Sequence, residues 1–106
     1  MTHTSHTVQD PNVDTIRRQL EEHLQERLDT LTELVPRALP PVDPVAYHAA
    51  ASHRMVVEQI TAALNRLDAG TYGRCTRCGG QIAPARLEVL PHAAACIECQ
   101  NHADAA

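Results

Sequence analysis

Two stretches of this chain repeat apolar residues every three or four positions. The first runs from about Asn12 to Val35 and places Val13, Ile16, Leu20, Leu24, Leu28, Leu31 and Val35 on one line. Its steps average about 3.67 residues, which predicts an amphipathic helix with a period nearer an eleven-residue repeat than a strict heptad. Asp10-Pro11 suits a cap and first turn, and Arg17, Arg18, Glu21, Glu22, Glu26 and Asp29 make the opposite, solvated face. Pro36, Pro40, Pro41 and Pro44 then break the pattern, because proline cannot continue a helix it interrupts. The second helix is expected to start at Asp43-Pro44. The aspartate accepts from the free N–H groups of the first turn, and a proline at the first position needs no partner. Its stripe reads Val45, Ala49, Ser52, Val56, Ile60, Ala63 and Leu67, at the same period, and Gly70 supplies a left-handed cap. Two matched stripes joined by a short proline-rich link predict an antiparallel helical hairpin, a short coiled coil with arms of roughly 35 Å. Ala49, Ala50 and Ala51 would let its backbones approach closely near the tip.

The pattern divides the chain into three parts. Residues 1–11 have no apolar period and are expected to be a disordered tail. Residues 12–70 form the hairpin, with its tip near 36–46. Residues 71–106 hold all four cysteines and three of the four glycines, and no long period. A short closing helix is expected from Ala93 to Gln100 or beyond.

Composition shows why this last part needs a staple. Of 106 residues 43% are hydrophobic, but sixteen are alanine, Phe and Trp are absent, and Tyr47 and Tyr72 are the only aromatics. A chain of this size without large aromatics builds no deep core and depends on a metal, a disulfide or assembly. Cys75-Thr76-Arg77-Cys78 and Cys96-Ile97-Glu98-Cys99 form two C-x2-C knuckles separated by seventeen residues. Two intervening residues let both sulfurs of a knuckle reach one ion, and the return of the second pair completes a tetrahedron. Cys78-Gly79-Gly80 suits a tight turn whose N–H groups point at sulfur. Cys75, Cys78, Cys96 and Cys99 are therefore read as ligands of one structural Zn2+. Four thiolates leave no open position, so the site activates no water. His92 and His102 lie near the ligands but are read as surface residues.

The run from Leu64 to Gln100 carries more than cysteines. Leu67-Asp68-Ala69-Gly70, Tyr72-Gly73 before the first knuckle, Gly79-Gly80, and Arg86-Leu87-Glu88 with Pro91 between the knuckles resemble the zinc-finger signature of the DksA/TraR family. The resemblance covers about a third of the chain. It implies a bacterial transcription regulator that binds RNA polymerase directly, inserts its hairpin into the secondary channel, anchors its finger on the rim and does not bind promoter DNA alone. The family's tip motif, of the type Asp-Pro-x-Asp-x-Ala, falls here on Asp43-Pro44-Val45-Ala46-Tyr47-His48. Asp43 matches, Ala46 replaces the second acid and His48 the terminal alanine. Asp43, Ala46 and His48 are the expected partner-binding tip, although capping alone also explains Asp-Pro here. The arm is shorter than in the longest members by about three turns, roughly 16 Å of reach. Arg86 matches a family arginine and is the expected partner contact on the finger, or else packs along it. Guanosine tetraphosphate binding is not expected, since the corresponding positions appear as uncharged Gln59, Leu90 and Gln100 and a polyphosphate requires cations.

Charge and missing motifs narrow the alternatives. A net charge of −4, with nine arginines and no lysine, opposes a general nucleic-acid binder. Arg74, Arg77 and Arg86 near the finger keep a zinc-dependent DNA-binding protein as one alternative. A zinc-capped coiled-coil adaptor or homo-oligomer is another, using Leu34, Leu39, Val57 and Leu64 as a second apolar seam. No phosphate loop, Ser/His/Asp set or open metal site points to an enzyme. No apolar run is long enough to span a membrane, and no secretory signal opens the sequence. A cytoplasmic location is expected.

Overall fold

The computed structural model describes residues 11–39 and 43–105. Most of the tail expected over 1–11, and residues 40–42 of the tip, lie outside them. Two long helices dominate: α1, Pro11–Leu34, and α2, Pro44–Ala69. A 3-10 turn, Val35–Arg37, follows α1, and the finger adds α3, Pro84–Val89, and α4, Ile97–Ala105. Among the described residues there is no strand, only an isolated antiparallel bridge between Arg74 and Gln81. The molecule is long and thin, 58 × 32 × 19 Å.

The ends of α2 follow from local chemistry. Asp43 Oδ1 accepts from the Ala46 N–H at 3.0 Å, with Pro44 beginning the helix. This is the N-cap that satisfies a free first-turn donor. At the other end Gly70 takes φ 78°, and the Thr71 N–H donates to the Arg66 carbonyl at 2.9 Å. That closes α2 in a Schellman-type turn. The tip turn is bridged by the Asp43 N–H donating to the Leu39 carbonyl at 2.9 Å.

α1 and α2 pack as the expected antiparallel hairpin, but the seam differs from the stripes read in the sequence. Leu20, Ile60, Ala63 and Leu67 form the buried cluster, flanked by Val13, Ile16, Leu24, Val56, Leu64 and Tyr72. Toward the tip the inward positions of α1 are Arg27, Leu31 and Leu34, while Leu28 is 39% and Val35 51% exposed. On α2 the inward positions are Ala46, Ala50 and His53, while Val45 is 78% exposed. Val13, Leu20, Arg27 and Leu34 are seven apart, as are Ala46, His53, Ile60 and Leu67. The seam is thus a heptad, with the 3.5-residue period of a left-handed coiled coil. Of the residues considered for a second seam, Leu34, Val57 and Leu64 are half-buried and Leu39 is exposed.

Candidate metal centre

The finger begins where α2 ends. Gly70 turns the chain and Gly73, at φ 86°, lets the Ile82 N–H donate to its carbonyl at 2.8 Å. This contact aligns the first knuckle. The Cys75 N–H donates to the Gly80 carbonyl at 2.7 Å and the Gly79 N–H, at φ 78°, to the Cys75 carbonyl at 3.0 Å. The turn aims N–H groups at sulfur: Arg77 and Cys78 toward Cys75 Sγ at 3.4 and 3.5 Å, and Gly80 toward Cys78 Sγ at 3.4 Å. The second knuckle is joined to the first through Thr76, whose N–H and hydroxyl donate to the Ala94 carbonyl at 2.8 and 3.1 Å. Cys96 precedes α4 and Cys99 lies in its first turn.

All four sulfurs lie within 4.8 Å of one another, and Cys78 and Cys96 stand 3.9 Å apart. A tetrahedral zinc with bonds of about 2.3 Å has sulfur–sulfur edges of about 3.8 Å. The charge balance of the thiols also calls for a cation. Backbone N–H groups, that of Cys78 foremost, lower the Cys75 thiol to about 6. The neighbouring Cys96 and Cys75 side chains raise Cys99 to about 12. The backbone favours a first thiolate and sulfur crowding opposes the last, so four thiolates coexist only around a positive ion. The cluster is a structural zinc site with a closed ligand set. Cys75 is buried, Cys78 exposed, and Cys96 and Cys99 lie between.

A second set of contacts ties the finger to the hairpin base. Tyr72 packs on the hairpin cluster and donates its hydroxyl to the Pro91 carbonyl at 2.8 Å. Arg66 of α2 reaches the His92 and Ala93 carbonyls at 3.5 and 3.4 Å. His92, expected at the surface, is half-buried in the cleft with His23, Glu26 and Arg27. Burial lowers its imidazole below the ordinary value, and the charges of His23, Arg27 and Arg66 lower it further. Arg86 donates Nε to the Ala95 carbonyl at 3.0 Å, bracing α3 against the second knuckle. The aromatic-glycine step before the first knuckle was a visible signal for Tyr72. Arg66 and His92 carried none, since their partners are distant carbonyls and a fold-made cleft.

The expected tip residues do not share one surface. Asp43 is half-buried and caps α2, and His48 is exposed with its ring edge-on to Tyr47, the centroids 5.4 Å apart. Ala46 is only 4% exposed. Its side chain faces the seam and is not displayed to a partner, because the heptad turns position 46 inward in place of 45.

A helical hairpin clamped at its base by a four-cysteine centre defines a class of zinc-finger proteins, and residues 70–104 match the prokaryotic dksA/traR C4-type zinc finger. This finger, about a third of the chain, is of the DksA/TraR type. The chain is similar to the RNA polymerase-binding transcription factor DksA of Caulobacter vibrioides, 32% identical over 85 residues, covering 79% of this chain and 60% of that one. The same-named protein of Haemophilus influenzae is 39% identical over 51 residues, 48% of this chain and 35% of the other. The chain thus matches between about a third and three-fifths of the length of these relatives. Transcription factor DksA2 from Pseudomonas aeruginosa shares the fold, with a TM-score of 0.66 at 22% identity over 98% of this chain and 91% of that one.

Proposed function

We propose that this chain is a bacterial transcription regulator that binds RNA polymerase directly and inserts its hairpin into the secondary channel. The observation that carries this reading is the exposed end of a thin rod. Leu39 is 59%, Val45 78% and Tyr47 40% exposed around Asp43, on a hairpin that buries little beyond its own seam. Exposed apolar side chains grouped around an acid are what a partner surface needs. The relatives named RNA polymerase-binding transcription factors support the partner, and a closed zinc site supports a structural rather than catalytic metal. Arg86 is a proposed rim contact in addition to its bracing of the finger. The shorter arm occupies the channel and competes with other channel factors even where its tip stops short of the catalytic metal.

Asp43→Asn provides the test. Asparagine keeps the capping oxygen and removes the charge, so the cap is preserved to within a few tenths of a kcal/mol. With purified bacterial RNA polymerase, the variant should bind and compete with a channel factor as the wild type does, yet lose its effect in multi-round transcription. A wild-type chain that neither binds core polymerase nor competes for the channel would refute the proposal.

A further inference from the structure

Among the described residues two side-chain polar contacts join α1 to α2: the Arg17–Asp68 pair near the base, and Arg27–His53 farther toward the tip. Arg27 Nη1 lies 3.0 Å from His53 Nδ1, seven residues along α1 from Leu20 and seven back along α2 from Ile60. A guanidinium has no lone pair to offer, so Arg27 donates and His53 accepts. The contact therefore requires a neutral imidazole with its proton on Nε2. The two sides of this contact are unequal. Toward the finger lies the packed cluster of Leu20, Ile60, Ala63 and Leu67. Toward the tip, the buried positions of α2 are Ala50 and Ala46, which offer α1 little apolar area. The tip half of the rod therefore depends more on the Arg27–His53 contact than the base does.

No carboxylate neutralises the pair. Among the described residues the one ion pair is Arg17–Asp68, nearer the base. The groups around the pair are His23 and Glu26, which share a cleft with Arg27 on α1, and His92, which enters that cleft from the finger. Arg66 lies beyond, against the His92 carbonyl. On α2 itself Arg54 and Glu58 are exposed. A proton on His53 Nδ1 would remove the acceptor and set two cations against each other in the seam.

We propose that Arg27 and His53 form an acid-sensitive latch: neutral His53 holds the tip half of the hairpin closed, and its protonation releases that half while the base stays packed. The latch regulates the site assigned above, and its effect on transcription rests on that reading; its structural part does not. Under that reading, acidification loosens the end of the rod that enters the polymerase.

The test is amide hydrogen exchange by NMR on the full zinc-loaded chain, as protection factors normalised for intrinsic rates. The comparison runs from about pH 7.5 to about pH 5.5, where histidine titrates. Protection at 28–34 and 46–53 should fall about tenfold or more beyond any fall at 16–24 and 56–67, the loss of one hydrogen bond to a charged group, since His92 in the base cleft lowers stability of the whole fold in the same range. His53→Gln keeps an acceptor that does not titrate, and should hold the tip half closed across the range. Arg27→Gln keeps a donor without a charge and should blunt the response, which preserves the test if the first variant folds poorly. A tip-half response in His53→Gln equal to the wild type would overturn the latch. So would a loss of protection that spreads equally to the base. Polymerase is absent throughout, so a flat response ends the latch and leaves the proposed function standing, whereas failed polymerase binding at neutral pH does the reverse.

Discussion

Leu20→Ala and Leu28→Ala, compared on one helix, test the heptad seam directly. Leu20 is 0% exposed in the cluster with Ile60, whereas Leu28 is 39% exposed beside the Arg27 position. Leucine to alanine removes about three carbons, worth roughly 2.4 kcal/mol of transfer at about 0.8 kcal/mol per buried group. At Leu20 a cavity term adds to this, but a seam between two helices closes partly, which points to about 3 kcal/mol, near the low end for such changes. At Leu28 a little over half of the transfer is at stake and no cavity forms, while alanine's higher helix propensity returns a few tenths of a kcal/mol. About 1 kcal/mol is expected. Urea unfolding followed by circular dichroism at saturating zinc would measure both, with unchanged slopes showing that the denatured state is not the cause. Equal losses at the two positions would mean that Leu28 also packs inward, and the 3.5-residue seam would be wrong.

Three further outcomes follow from the finger and its joint. Zinc removal by a chelator, or Cys75→Ser, should abolish ordered structure in residues 71–105 while much of the hairpin stays helical; circular dichroism and NMR dispersion would show it, and unchanged thermal stability after complete chelation would contradict it. Tyr72→Phe leaves the ring packed but deprives the Pro91 carbonyl of its donor, so it should cost about 1 kcal/mol in the same unfolding assay; no loss would mean the hydroxyl does not brace the finger. His92 is held below the ordinary imidazole value, so the unfolded chain takes up its proton first and folded stability falls as pH drops below about 6.5. His92→Gln should lessen that fall in Tm, and a steeper fall would reverse the assigned sign.

Local chemistry made much of this protein readable from its sequence. The C-x2-C pairs specify the ligand set because two intervening residues set sulfur spacing whatever the surroundings. Asp43-Pro44 and Gly70 mark the ends of α2 because capping depends on the few residues at each end. The closing helix begins at Ile97 rather than at the expected Ala93. α3 carried no usable signal, being six residues long with a proline at its start.

The seam could not be settled in the same way. A stripe from Val13 to Val35 and a seam from Val13 to Leu34 both take six steps, and differ by one residue over that length. Hydrophobicity favours Leu28 over Arg27 and Val45 over Ala46, and does not separate Val35 from Leu34, although Arg27, Leu34 and Ala46 are the residues that face inward. Which position turns inward is decided by the partner helix, as each arm underwinds to keep its seam against the other. The Arg27–His53 contact, the burial of Ala46 and the bonds of Tyr72, Arg66 and Arg86 to distant carbonyls belong to that tertiary level. The sequence by itself determined two long helices, the caps of the second, and a metal-binding finger. Only packing decided which faces meet, since each arm's burial depends on where the other arm lies.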